Sequence, residues 1–270
     1  MAGIAKVLSI AGSDPSGGAG IQGDLKTFSA LGCYGMAAIS ALTAQNTLGV
    51  QAVSLVPPDF LEKQIDSVFS DMDVDAVKIG MIGSPANAEV IAQALARHKA
   101  QNIVLDPVLA ASAGHDLGGE ALVAPLRAKL FPLARLVTPN LMEAAQLAGE
   151  RMAGGPGDMR ALALRLHALG APAVLVKGGH LPEGDAFDLL YDGAEFVEFT
   201  APRVATRNSH GTGCALSSAI AALLGQGRAL KQAVGEAKAW LTGALEAGVD
   251  LHVGAGHGPP HHLFNLWPSR

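Results

Sequence analysis

Residues 74–107 read VDAVKIGMIGSPANAEVIAQALARHKAQNIVLDP, and this stretch decides the fold. Val74 to Ile79 reads as a short buried strand, and Gly80-Met81-Ile82-Gly83 is the loop that leaves it. Ser84-Pro85 suits the cap and first turn of a helix that runs through His98. Ile103 to Leu105 is the next strand, and it ends at Asp106-Pro107. Strand, helix and strand in this order make one unit of a parallel sheet.

The same alternation extends in both directions. Upstream, Lys6 to Ile10 is a buried strand, Ser13 to Gly20 (SDPSGGAG) a glycine-rich loop, and Ile21 to Leu31 a helix. Strands follow at Gly35 to Ala44, ending on Gln45-Asn46, and at Gln51 to Val56; Pro57-Pro58 then opens a helix with Phe60, Leu61, Ile65, Val68 and Phe69 on one face. Downstream, a loop with Gly114, Gly118 and Gly119 leads into a helix up to Leu130, and Leu136 to Thr138 is a strand. Asn140 starts a helix, Met159 to Leu169 is another, and Ala173 to Val176 is a strand ending at Lys177-Gly178-Gly179. Ala186 to Tyr191 and Glu195 to Thr200 form a hairpin through Asp192-Gly193, and helices cover Cys214 to Leu224 and Leu230 to Ala247. The pattern predicts an α/β protein, a mostly parallel sheet with helices on both faces. No linker or repeat divides residues 1–270, which read as a single domain.

Composition narrows the partners. Apolar residues make up 49% and charged residues 16% of 270, a chain built to bury a large core. A net charge of −5 offers no basic surface, which argues against nucleic acid and acidic membranes. Two cysteines without a spacing pattern fit a reducing compartment, and neither a signal peptide nor a membrane-length apolar run is present. The chain reads as a cytoplasmic protein.

In parallel sheets ligands bind beyond the carboxyl ends of the strands. The residues there are Asp14, Gln45, Asn46, Met81, Asp106, Asn140 and Lys177, mostly polar in an apolar chain. Asn208 to Ala222, NSHGTGCALSSAIAA, is a glycine-rich loop feeding a helix. Gly211 and Gly213 permit a sharp turn and close approach, and the free amides and dipole of the helix terminus favour an anion. Cys214 in the first turn would gain thiolate character from the same field. The other reading is a turn capped by Ser209 or Thr212 before a core helix.

Other motifs carry two readings each. Gly18-Ala19-Gly20-Ile21-Gln22-Gly23 fits G-x-G-x-x-G, but the second strand ends in Gln45 and Asn46, where a dinucleotide fold wants an acid. No G-x-x-x-x-G-K-[ST] occurs. Asn140 and Glu143 make either a capping box or a carboxylate near a metal–phosphate cluster. Asp106 is a turn residue or approaches a metal; Lys177 is a solvated charge or a phosphate-binding cation. The histidines from His252 to His262 match no metal spacing and read as a polar, partly ordered tail, with Phe264, Leu266 and Trp267 docking.

Taken together, IAGSDPSGGAGIQGDLKTF, ALTAQNTLGV, VKIGMIGS, LDPV, LVTPNLMEA, VLVKGGH, HGTGCALSSAIAA and GHGPPHHL span Ile10 to Leu263. Through them the chain resembles the bifunctional hydroxymethylpyrimidine and phosphomethylpyrimidine kinases of thiamine biosynthesis, in the ribokinase-like superfamily. The resemblance implies a three-layer αβα fold, a homodimer, and ATP with Mg²⁺. It implies phosphorylation of 4-amino-5-hydroxymethyl-2-methylpyrimidine to its monophosphate, and of that to the diphosphate. It further implies that Gln45 holds the aminopyrimidine, that Met81 and Val108 are apolar walls, and that Gly12 and Asp24 line the same pocket. Lys177 would reach the nucleotide phosphates, and Asn140 and Glu143, with Asp106, would stand near Mg²⁺. Gly211 to Gly213, including Thr212, would form the anion hole, with Cys214 as the base. The chain departs from the family in Ser209 and Ala215, where threonines are commoner, and in lacking a lysine near Ser112. Rival readings are a pyridoxal or pyridoxine kinase on the same fold, a dinucleotide-dependent oxidoreductase, and a non-catalytic sensor, which would have lost Cys214 or Lys177.

Overall fold

Apolar runs with a side-chain period of two become the strands, and glycine- or proline-marked helical stretches join them. The computed structural model describes residues 3–109, 119–179, 181 and 184–267. Their strands are β1 (Lys6–Gly12), β2 (Tyr34–Asn46), β3 (Gly49–Leu55), β4 (Ala76–Ile79), β5 (Ile103–Leu105), β6 (Leu136–Val137), β7 (Val174–Lys177), β8 (Ala186–Tyr191) and β9 (Phe196–Ala201). The helices are α1 (Gly20–Ala30), α2 (Pro58–Phe69), α3 (Pro85–Arg97), α4 (Gly119–Pro125), α5 (Leu141–Ala148), α6 (Pro156–Ala168), α7 (Thr212–Gly225) and α8 (Leu230–Glu246). A π-helical turn, Leu126–Leu130, and a 3-10 turn, Phe131–Leu133, continue α4. The loop expected to carry Gly114 and Gly118 lies outside the described residues.

One sheet runs in the order β3-β2-β1-β4-β5-β6-β7-β8-β9. From β2 to β7 all neighbours are parallel, while β3, β8 and β9 add antiparallel edges. Strand alternation splits the apolar residues between two cores. Leu8, Leu105, Val137 and Val176 face Leu61 and Ile65 of α2, Ile91 of α3 and Leu162 of α6. Val7, Val104, Leu136 and Leu175 face Phe28 of α1 and the apolar sides of α7 and α8. This is the three-layer αβα architecture of the ribokinase-like fold. Every residue of α7 from Ala215 to Leu224 is buried, as befits a helix apolar all round.

The chain leaves β1 for β2 on one side and later returns to β4 on the other. Loops diverge at such a switch and open a crevice at the carboxyl ends. Gly12, Gln45, Met81, Asp106, Asn140 and Lys177 all emerge along that edge. The β2–β3 pair is an antiparallel hairpin whose register runs from Ala41↔Leu55 to Asn46↔Gly49, so Gln45 rides on an arm that rises beyond its neighbours.

The C-terminal segment differs from the polar tail expected. His257 N donates to Thr47 O (3.1 Å), and Gly258 O accepts from His210 N (2.9 Å). Asn208 Nδ2 donates to Leu251 O at 3.1 Å. Backbone bonds therefore strap the segment between the β2–β3 turn and the loop before α7. Phe264 packs on Trp240 with ring centroids 6.4 Å apart. Leu266 and Trp267, expected to dock, are more than half exposed.

Candidate active site

At one end of the crevice a small apolar cup forms. Ala41, Met81 and Val108 pack together, and a Cβ on Gly12 would fall 2.7 Å from Met81 Cε. Ser40 Oγ donates to Met81 O at 2.5 Å and fixes that wall. Gln45 lies further along β2 from Ala41, its carboxamide 3.3 Å from His210 Nε2. Asp24, expected to line this pocket, is instead fully buried elsewhere. Strand alternation turns Ser9 and Lys78, which are paired across β1 and β4, toward α1 and α7. Asp24 meets them there, with Lys78 Nζ at 2.8 Å, Ser9 Oγ at 2.6 Å and Ser218 Oγ at 2.7 Å. Burial opposes the Lys78 charge, but Asp24 together with the other negative groups near it, Asp106 among them, outweighs burial and drives the ammonium further toward its protonated form. Asp24 is a counter-ion beneath the site.

Along the crevice comes the N-terminus of α7. Gly211 is the cap residue with φ 81°, and no side chain caps the helix, against the reading of Ser209 or Thr212 in that role. A Cβ on Gly211 would lie 2.0 Å from Gly18 O, so the two glycine-rich loops touch backbone to backbone. That contact occupies the space a dinucleotide pyrophosphate would need over Gly18. The helix end keeps uncapped donors and dipole toward the crevice.

Beyond it lies a charged cluster. Lys177 Nζ is 2.7 Å from Asp106 Oδ1, and a Cβ on Gly213 would lie 3.1 Å from that ammonium. Asp106 Oδ2 accepts from Ser217 Oγ at 3.2 Å. Burial would raise Asp106, yet the Lys177 and Lys78 ammoniums outweigh it and hold the carboxyl below its usual range. Asn140 and Glu143 form a full capping box on α5, with Glu143 Oε2 accepting from Asn140 N at 2.8 Å and Asn140 Oδ1 accepting from Glu143 N at 2.9 Å. Burial pushes Glu143 up to about 7, opposed by Lys177 and reinforced by Asp106. The capping reading therefore holds, and it aims a half-free carboxyl at the cluster.

Cys214 departs from expectation. Burial pushes its thiol up to about 11, and Asp106 and Asp24 add to this, against Lys78 and the Gly20 amide. The helix field does not create a standing thiolate. Among the described residues no three of His, Cys, Asp and Glu gather as a metal cage. Mg²⁺ commonly binds through one or two carboxylates with phosphates and waters completing its shell, so Asp106 and Glu143 fit such an ion beside a nucleotide.

Sequence reading missed His210, Lys78 and Ser217. A lysine in the apolar strand AVKI was a usable signal, because an ammonium among buried neighbours needs a carboxylate partner. His210 and Ser217 lay inside the motif and carried no spacing rule. Among the described residues no helix is long and apolar enough to cross a membrane.

Residues 14–261 match the family model described as phosphomethylpyrimidine kinase. Over 260 residues the chain is 50% identical to the hydroxymethylpyrimidine/phosphomethylpyrimidine kinase of Salmonella typhimurium, covering 96% of this chain and 98% of that one. Its fold resembles the crystal structure of phosphomethylpyrimidine kinase from Clostridium difficile, with TM-score 0.78, 41% identity, and 89% and 99% of the two chains covered. It also resembles the pyridoxal kinase of Staphylococcus aureus in complex with AMP-PCP, an ATP analogue, and pyridoxal, with TM-score 0.88, 34% identity, and 98% and 96% covered. The chain belongs to the phosphomethylpyrimidine kinase family.

Proposed function

We propose that this kinase transfers the γ-phosphoryl of ATP to 4-amino-5-hydroxymethyl-2-methylpyrimidine, and then to the resulting monophosphate, in thiamine biosynthesis. The observation that carries this reading is an unbroken row of contacts along the strand ends. Gln45, on the strand that also carries Ala41 of the apolar cluster, reaches His210 beside the uncapped N-terminus of α7, and Gly213 there lies against Lys177, which pairs with Asp106.

Phosphoryl transfer asks the protein for positioning and charge stabilisation more than for covalent chemistry. The Gly211-to-Gly213 loop, with Thr212 between, receives the transferring phosphoryl at the amides of α7, where fixed donors need no reorganisation. Lys177 reaches the nucleotide phosphates; its present bond to Asp106 holds the ammonium in place until they arrive. Asp106 and Glu143, with Asn140 fixing the latter, are the residues that would hold Mg²⁺, which when bound offsets phosphate charge. Gly12, Met81 and Val108 enclose the ring, and Gln45 can both donate to and accept from an aminopyrimidine. Cys214, in its minor thiolate form, takes the proton of the hydroxymethyl group in the first step and becomes the thiol.

The pyridoxal kinase reading is favoured by the Staphylococcus likeness, but the higher identity to the pyrimidine kinases supports the aminopyrimidine. We place the reaction in the cytoplasm, in keeping with two free thiols, Cys33 and Cys214. The enzyme works as a homodimer, a reading supported by the apolar residues that the β2–β3 edge leaves exposed, Val53 and Leu55 on one face of the hairpin and Leu42 on the other. The test is Gln45→Ala. Losing a buried hydrogen-bonding partner costs about 1–3 kcal/mol, so KM for hydroxymethylpyrimidine should rise about tenfold or more with KM for ATP unchanged. Equal damage to both would remove Gln45 from the ring site.

A further inference from the structure

His210 stands between the two ends of the site, directly before Gly211, and neither spacing nor composition gave it a role. Its Nε2 lies 2.9 Å from Asp14 Oδ2. Asp14 is nearly buried and acceptor-only: its carboxylate also takes Ser16 N (2.9 Å), Ser16 Oγ (2.6 Å), Gly18 N (3.2 Å) and Ala19 N (2.8 Å). Burial opposes its ionisation, but the bonds from His210, Ser16 and Ala19 outweigh burial and hold it at about 2, so it stays a carboxylate at working pH. A carboxylate at that distance requires a proton on His210 Nε2, whether the ring is neutral or charged. The ring packs flush on Gly18, where a Cβ would fall 2.6 Å from His210 Cδ2, so this position takes no larger residue without displacing the histidine.

The same Nε2 faces Gln45. The Gln45 carboxamide has its nitrogen 3.3 Å from His210 Nε2 and its oxygen 3.3 Å from Thr43 Oγ1. That arrangement sets donor against donor. Thr43 Oγ1 meanwhile gives its one hydrogen to Ser13 O at 2.8 Å and has only lone pairs left for Gln45. Exchanging oxygen and nitrogen, which leaves the shape of the amide intact, resolves both contacts together. The one His210 Nε2–H goes first to Asp14 at 2.9 Å, and the Gln45 oxygen at 3.3 Å takes a weaker second share of it, while the Gln45 nitrogen donates to Thr43.

We infer that His210, locked by Asp14, is a positioning residue that fixes the polarity of the Gln45 amide and thereby selects the aminopyrimidine ring. The inference rests on the proposed role of Gln45 as the ring-binding group. With the polarity fixed, the carbonyl oxygen lies on the side of the anion loop and the amide nitrogen on the far side. In the aminopyrimidine the amino group, a donor, sits on the carbon next to the hydroxymethyl-bearing one, and a ring nitrogen, an acceptor, follows it. With the hydroxymethyl group pointed at the anion loop, donor meets oxygen and acceptor meets N–H. Pyridoxal carries a carbonyl oxygen beside its hydroxymethyl group and would set acceptor against acceptor. A site built to hydrogen-bond a group rejects an analogue that leaves its buried partners unpaired.

The test compares His210→Leu, which has no donor, with His210→Gln, whose amide N–H replaces Nε2–H. Steady-state kinetics on hydroxymethylpyrimidine, pyridoxal and ATP are paired with long-range ¹⁵N–¹H spectra of the wild-type histidines. His210 Nε2 should be protonated across neutral pH. His210→Leu should raise KM for hydroxymethylpyrimidine about tenfold, leave KM for ATP unchanged, and narrow the preference over pyridoxal; His210→Gln should restore that preference. An Nε2 without a proton overturns the inference, as do an unchanged ring preference in His210→Leu or an equal loss in both variants. Gln45→Ala separates this from failure of the underlying reading: if it spares KM for hydroxymethylpyrimidine, the ring site itself is wrong. If it raises KM while the His210 pair has no effect on ring choice, only the inference falls.

Discussion

At the scale of single residues, Cys214 carries the sharpest consequence. In the first transfer the acceptor is an alcohol whose proton must leave, and a general base is typically worth about 10²–10⁴ in rate. In the second it is a phosphate monoester with a pKa near ~6, already deprotonated at neutral pH. Because burial holds the Cys214 thiol at about 11, the deprotonated form is scarce at pH 7 and grows tenfold with each pH unit below that value. The expected result is kcat/KM on hydroxymethylpyrimidine rising from pH 7 to 9.5, kcat/KM on the monophosphate staying flat, and Cys214→Ala abolishing the slope. A flat alcohol profile in the wild type would make Cys214 a pocket wall. Residues at strand ends were the most legible part of the site, because polar side chains in an apolar chain call for a reason. Asp24 was misplaced because the helix face it occupies depends on Lys78, whose burial shows only once β1 and β4 are paired.

At the scale of elements, the C-terminal segment matters more than its histidine-rich composition suggested. His262 is buried against α1, near Gly23, with no hydrogen-bonding partner for Nε2 among the described residues. Burial lowers its pKa from 6.5 to about 4, and the Lys26, His261 and His210 charges add to this. The sign follows from linkage: below 6.5 the unfolded chain takes a proton that the folded chain refuses, so stability falls as pH drops toward 4 and levels off below it. At pH 5 the cost is about 2 kcal/mol relative to pH 8. Urea unfolding of wild type and His262→Phe at both pH values checks this, and an equal acid loss in both proteins would contradict a buried neutral imidazole. The strap was illegible in the sequence because backbone bonds from Gly258 and His257, not side-chain periodicity, hold it. By contrast α3 was readable almost to the residue, since Ser84 accepts from Asn87 N as its cap chemistry requires.

At the scale of the whole molecule, one sheet serves both cores and the site, which supports reading residues 1–270 as a single kinase domain. The alternation of strands and helices made its parallel centre legible. The antiparallel β3 and the lift it gives Gln45 depended on a register across β2 that no local pattern encodes. Sedimentation should find a dimer, and Leu42→Lys with Leu55→Lys should shift it toward monomer; an unshifted dimer would place the contact elsewhere. The central claim concerns the acceptor. The direct measurement is ADP release in a coupled assay with ATP, Mg²⁺ and, in turn, hydroxymethylpyrimidine, its monophosphate, pyridoxal and a panel of sugars. Saturable turnover on both pyrimidines, with kcat/KM above that on pyridoxal and none on sugars, is the expected result. Turnover confined to pyridoxal or a sugar, with the pyrimidines inert, would contradict the assignment.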